Sequence, residues 1–184
     1  MSNFTVATRY AESLMQMAEE KNLLEQISKD MEFVHDTFKE SRELRNFMKN
    51  PVIDYGKKNS VLEEIFKTNI SEDSFKFIAF VLKKKREDIL VEITERFLQL
   101  RDEKLRIVNA SVTSAIELND EQKASVKREL ESYSDKKVRL HFKLDKNIIG
   151  GIVIRLGDTV LDASLKRQLE LLKEKFISGA VPLN

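Results

Sequence analysis

Apolar residues recur every three or four positions through the first hundred residues and every second position afterwards, so the chain divides near Leu105 into a helical part and a mixed part. The first helix is expected over residues 3–21, with Asn3 or Thr5 as its cap. It carries two apolar stripes, Phe4, Ala7, Ala11, Leu14 and Ala18 on one side and Val6, Tyr10 and Met17 on another. A single core contact does not cover both stripes, so this helix is either centrally buried or docks a partner along one face. A second helix over 23–38 has the narrow seam Leu24, Ile27, Met31, Val34, Phe38 suited to one antiparallel neighbour. A short third helix over 43–48 stops before Pro51, because the residue preceding proline avoids helical angles.

A fourth helix is expected over 56–66, presenting Val61, Leu62, Ile65 and Phe66. The fifth opens at Ser71, with Ser74 as the other candidate cap. From Phe75 to Leu82 it is apolar almost all round, which in a small domain means full burial or a docking patch. The sixth spans 87–104 and buries Leu90, Ile93, Phe97 and Leu100.

Beyond the boundary, Leu105, Ile107, Ala110 and Val112 predict a strand with a slip or bulge near Val108. Asn119 to Gln122 predict a capping box opening a helix that buries Val126, Leu130 and Tyr133. Val138, Leu140, Phe142 and Leu144 alternate with Arg139, His141 and Lys143, a strand with one buried face. Ile152, Ile154 and Leu156 predict another, entered through Gly150 and Gly151, which permit a bulge or a close backbone approach, and left by a tight turn at Gly157 and Asp158. After a short segment at 159–161, Asp162 stands as N-cap of a closing helix striped by Leu165, Leu169, Leu172 and Phe176. Gly179, Pro182 and the last residues read as a frayed tail. The fold class is therefore α+β: an N-terminal six-helix bundle over 1–104 and a small C-terminal α/β domain over 105–184, ordered strand, helix, strand, strand, helix.

Charge narrows the possible partners. Lys plus Arg total 32 against 31 Asp plus Glu, a net charge of +1, so no global field draws the chain to nucleic acid or anionic lipid. The absence of cysteine removes disulfides, thiolate nucleophiles and cysteine metal sites. The longest apolar runs, 77–82 and 148–154, are too short to span a bilayer. The opening MSNFTVATRY has neither a basic segment with an apolar core nor an arginine-rich leader, so no targeting signal is expected and a bacterial cytoplasmic setting is the simplest reading.

No catalytic constellation emerges. The spacing of Gly150, Gly151 and Gly157 fits neither a P-loop nor a dinucleotide fingerprint, and a bulge and a turn account for these glycines. Asp145, Asp158 and Asp162 are read as caps and turns before they are read as cation ligands, and His35 and His141 lie in different domains. Two readings from other classes are a nucleic-acid adaptor using the basic run Lys83, Lys84, Lys85 and Arg86, and a metal-dependent hydrolase using the aspartates. The first is disfavoured by Glu87 and Asp88, which follow the run at once.

The pattern D-x-x-I-I-G-G-I-x-x-R-x-G-D-x-x-x-D-x-S is carried by Asp145, Ile148, Ile149, Gly150, Gly151, Ile152, Arg155, Gly157, Asp158, Asp162 and Ser164. It closely resembles the C-terminal signature of the delta subunit of bacterial F-type ATP synthases, the family of the mitochondrial oligomycin sensitivity conferral protein. Thr8, Arg9, Tyr10, Ala11, Glu12, Ser13 and Leu14 resemble the family's opening R-Y-A-x-x-L helix, and Ala163 departs from the glycine many members carry there. The resemblance implies a non-catalytic stator subunit without cofactor or metal. It implies a single copy per complex on the cytoplasmic face of the bacterial cell membrane, attached only through that complex, and no role in binding nucleic acid. The partners it implies are the N-terminal helix of an alpha subunit and the b subunits. Carried onto this chain, the alpha contact falls on Tyr10, Ala11 and Leu14, with Phe75, Ile78, Ala79 and Leu82 lining the same groove. Gly150, Gly151, Arg155, Gly157 and Asp158 serve mainly the fold, on the side of the b subunits. Leu165, Leu169 and Leu172 either pack internally or contribute to b binding.

Overall fold

A computed structural model describes residues 3–177; the tail read at Gly179 and Pro182 lies outside them. The chain forms two compact units, Met1–Lys104 and Leu105–Asn184.

The first unit is a helical bundle: α1 (Asn3–Glu20), α2 (Leu24–Glu40), α3 (Arg42–Lys49), α4 (Tyr55–Phe66), α5 (Glu72–Lys83), a single 3₁₀ turn (Glu87–Ile89) and α6 (Leu90–Lys104). Local chemistry sets the helix ends. Ser41, Asp54 and Ser71 each accept the backbone N–H three residues on, so the caps of α3, α4 and α5 are side-chain oxygens. Of the two candidates for α5, Ser71 is the cap and Ser74 is buried in the first turn. α1 and α5 close on residues with left-handed backbone, Asn22 and Lys85. In each case the next N–H, of Leu23 or Arg86, bonds the carbonyl five residues back, at Ala18 or Val81. α1 packs chiefly on α6, and so does α2. The core between the helices holds Leu14, Ile27, Met31, Phe38, Phe66, Ile93 and Phe97, with Phe38 and Phe66 stacked at 5.9 Å between ring centroids.

Three buried polar groups tie the helices together. Asp30 of α2 accepts from both the N–H and the hydroxyl of Ser71, at 3.0 and 2.5 Å, so α2 completes the α5 cap. Lys58 is buried and donates to Met48 O at 2.8 Å and to Glu87 at 2.6 Å. Arg101 donates to Glu32 at 2.6 Å and to Asp102 at 2.7 Å. Burial disfavours the Arg101 charge, but the bonds to Glu32 and Asp102 outweigh it and raise the pKa.

The second unit contains β1 (Ile107–Ser114), α7 (Asp120–Ser134), β2 (Lys137–Leu144), β3 (Gly151–Leu156), β4 (Thr159–Ser164) and α8 (Leu165–Ile177). The sheet order is β2-β1-β3-β4; β1 and β2 run parallel and the other pairs antiparallel. A parallel pair needs a crossover, and α7 supplies it, opened by the Asn119–Gln122 capping box. The core is small: Ala110, Val112, Leu130, Val138, Ile154 and Leu156.

Several expectations are corrected here. β1 has no bulge at Val108; its pairing with β2 is continuous from Ile107 to Ser114. Its inner face is Val108, Ala110, Val112 and Ser114, so Ile107 lies on the other face. Thr159–Ser164 is a fourth strand, and Asp162 belongs to it instead of capping the helix. The Ser164 hydroxyl takes the cap role, accepting from Arg167 N at 3.2 Å. Tyr133 is exposed, since α7 turns mainly Leu130 inward. The buried face of β2 gives out after Leu140: Phe142 and Leu144 are 39% and 57% exposed.

Candidate partner-docking surfaces

At about 3.6 residues per turn, Val6, Tyr10, Ser13 and Met17 share one flank of α1, and Asp73, Phe77 and Phe80 share one flank of α5, which Lys84 extends past the helix end. These flanks face each other in opposite directions. Lys21, just past α1, pairs with Asp73 at 2.5 Å, and Tyr10 meets Phe80 with ring centroids 6.2 Å apart. Phe80 is 47% exposed, Val6, Tyr10 and Met17 are half-buried, and the Lys84 ammonium stands 5.5 Å from the Phe80 ring centroid. The result is an apolar strip between two helices with a cation at one end and an ion pair at the other.

The residues read for this contact separate into three groups. Ala11, Leu14, Ile78 and Leu82 are fully buried and belong to the bundle core, so they cannot line a surface groove in the folded unit. The helix 1 stripe containing Ala11 and Leu14 is the one that α6 covers. Phe75 and Ala79 are half-buried but sit on the opposite flank of α5. Tyr10 alone of the seven lies in the strip. Phe80, not among the seven, also lies in the strip, an exposed phenylalanine on the same side of α5 as Lys76 and Lys83.

In the second unit, α8 carries Leu165, Leu169, Leu172 and Phe176 on one stripe, yet none of its residues is buried. An amphipathic helix with its apolar face uncovered is the form of a helix that docks on something else. Its root is held firmly. Leu165 N–H donates to Gly150 O at 2.9 Å, and Leu165 packs so close to Gly150 that a Cβ there would overlap its side chain. Gly151 has φ +79°, and a Cβ on it would come within 3.0 Å of Ser164 Cα and closer still to the Ala163 carbonyl. The two glycines therefore make the close approach of β3 to the β4–α8 junction. Gly157, at φ +57°, and Asp158 form the two-residue hairpin between β3 and β4, and Arg155 is exposed on the sheet. These five residues shape the platform from which α8 projects.

Elsewhere the chemistry is local. Asp145 accepts from the backbone and side-chain nitrogens of Asn147, at 2.9 and 2.8 Å. His35 Nδ1 lies 3.3 Å from the Thr94 hydroxyl. Among the described residues no group of three His, Asp or Glu side chains is placed to hold a metal ion, and no helix is long and apolar enough to cross a membrane. The basic run 83–86 is the C-terminal cap of α5, complementing the negative end of its dipole. Asp162 accepts from Ser164 N at 2.9 Å, and hydrogen bonds from the Ser164 side chain and backbone hold its carboxyl below the ordinary 3.8. A group depressed in this way steadies the β4–α8 corner above the unfolded pKa and releases it as pH falls through the folded one. A carboxyl-carbon NMR titration should give Asp162 a midpoint below 3.8, and Ser164→Ala should move it up.

Residues 6–176 match the family model of the ATP synthase delta (OSCP) subunit. The ATP synthase subunit delta of Chlorobium phaeovibrioides is 40% identical over 178 residues, covering 97% of this chain and 98% of that one. That of Chloroherpeton thalassium is 36% identical over 176 residues, 96% of each chain. A chain of the Toxoplasma gondii mitochondrial ATP synthase hexamer, solved by cryo-electron microscopy, superimposes with a TM-score of 0.68. At 22% identity, covering 96% of this chain and 98% of that one, it shares the fold.

Proposed function

We propose that this chain, which belongs to the ATP synthase delta (OSCP) subunit family, joins the catalytic head of an F-type ATP synthase to its membrane-anchored b subunits. It is a subunit of the peripheral stalk, a structural part of a complex that makes ATP. In this reading one copy sits on the cytoplasmic face of the bacterial membrane and reaches that membrane only through its partners. The strip between α1 and α5 receives the amphipathic N-terminal helix of an alpha subunit. The uncovered stripe of α8 holds the end of the b subunits. The rotor turns against the head during proton-driven synthesis, so a stator works by holding, and the product required of it is affinity. Apolar burial supplies that at roughly 25 cal/mol per Å², less the cost of association.

The observation that carries the reading is α8, a thirteen-residue helix with an apolar stripe and no buried residue. The test is an NMR titration of the isotope-labelled full chain with two peptides from the same organism, the alpha N-terminus and the b C-terminus. The first should shift Val6, Tyr10 and Phe80, and the second Leu165, Leu169 and Leu172. An aromatic anchor is worth about 2 kcal/mol, so Phe80→Asp should weaken the alpha peptide more than tenfold and leave the b peptide alone. Leu169→Asp should do the converse. Saturable binding of neither peptide to the folded chain would overturn the proposal.

A further inference from the structure

We propose that the outer edge of β2 is a further docking surface, built to take an extended segment of alternating acidic and apolar residues by strand addition. The backbone register supplies the first part of the argument. Lys137 N–H donates to Arg106 O and Asp145 N–H to Ser114 O, both at 2.9 Å. Odd-numbered residues of β2 therefore turn their N–H and C=O groups toward β1, and even-numbered residues turn theirs away. The sheet order puts β2 at an edge, so among the described residues those outward groups face no strand. The Val138 N–H is taken by Glu131 at 3.1 Å. The outward groups of Leu140 and Phe142 remain on the open edge.

The side chains determine what fits there. The strand reads KVRLHFKL: Lys137, Arg139, His141 and Lys143 on one face, Val138, Leu140, Phe142 and Leu144 on the other, and no acidic residue on either. An open cleft of about 1080 Å³ runs between this edge and α7, lined by Leu140 and Phe142 with Lys123 and Lys127 beside them, Arg106 and Lys136 at one end, and Glu131 and Asp135 as its acidic residues. The Lys123 ammonium stands 5.7 Å from the centroid of the exposed Phe142 ring. Lysines alone are a common device for keeping an edge strand unpaired. That device gains nothing from leaving Phe142 and Leu144 uncovered at the same edge, whereas an added strand would bury them. Charge then chooses the occupant. A second copy of this chain would bring two rows of cations together, so β2 does not pair with β2. An acidic segment would lay its carboxylates beside His141 and Lys143 and its apolar residues against Leu140, Phe142 and Leu144.

This surface is separate from the α1–α5 strip and from α8, so it stands or falls independently of the stalk reading. The experiment titrates the labelled full chain with two synthetic octapeptides, blocked at both ends, of alternating glutamate and valine or alternating lysine and valine. The glutamate peptide should bind saturably and slow amide hydrogen exchange at Leu140 and Phe142 at least tenfold. Arg139 and His141 amides, already directed at β1, should not change. A His141→Glu/Lys143→Glu double variant should keep its fold and bind at least tenfold more weakly. Equal binding by both peptides, no saturable binding, or binding with exchange at Leu140 and Phe142 unaltered would each overturn the proposal.

Discussion

Leu14→Asp should unfold the first unit, not merely loosen its hold on a partner. Leu14 is 0% exposed in the core between α1 and the rest of the bundle, so the substituted carboxylate has neither water nor a cation to meet. Burying an unpaired carboxylate costs several kcal/mol even after the surroundings relax, added to the lost packing of a leucine, roughly 2–5 kcal/mol. A domain of this size has about 5–15 kcal/mol in total. Circular dichroism and amide dispersion should therefore show lost helix in the variant at room temperature, or a melting point lowered by well over 10 °C. Phe80→Asp, at a half-exposed position, should keep the melting point within a few degrees while losing the alpha peptide. If Leu14→Asp stayed folded and only binding fell, α1 would have to face outward along the stripe that α6 covers here.

The second large effect is expected at Gly151. An alanine there meets two costs together: a left-handed backbone angle, about 1–2 kcal/mol for a residue with a Cβ, and a backbone overlap that no side-chain motion relieves. β3 and β4 would have to part at the Gly151–Ser164 pair, and with them the root of α8. The expected loss is about 3 kcal/mol or more, large for a unit with six buried apolar side chains among the described residues. Gly157→Ala is the control. It shares the left-handed angle but has nothing within 4 Å of the added Cβ, so it should cost only about 1 kcal/mol. Urea unfolding followed on second-unit amides separates the two. Equal costs would mean that backbone angle alone explains Gly151.

The helices of the bundle were legible because period and punctuation agree: Ser71 opens α5 four residues ahead of Phe75, and α3 stops at Lys49, just short of Pro51. What the pattern does not contain is which seam meets which neighbour. α1 has two apolar flanks of similar weight, and only the packing of α6 against one of them makes Leu14 core and Tyr10 surface. The same limit applies to the sheet. Alternation fixes the faces of β2 and β3 but not their neighbours, so the parallel pairing of β1 with β2 is absent from it. β4 escaped because six residues with Val160 exposed and Asp162 near the end do not alternate cleanly. The two-residue turn at Gly157 and Asp158 was nonetheless a hairpin signal that requires a strand after it. Which residues of α1 and α5 are core and which are surface was not legible either, because an exposed aromatic such as Phe80 differs from a core one only by the helix face it occupies.

The order of elements also sets when each unit can fold during synthesis. α1 finds its main neighbour in α6, the last helix of its unit, and Glu19 pairs with Lys104 at that unit's end. β1 is central in the sheet, but its partners arrive later: Lys137 opposite Ile107, Ile152 opposite Ser114. α1 thus waits for the last helix of its unit and β1 for two later strands, so a truncated product lacks the closing piece of a core. A ribosome that stops inside α6 or before β3 leaves an apolar face of α1 or β1 uncovered, the kind of intermediate that chaperones and proteases recognise.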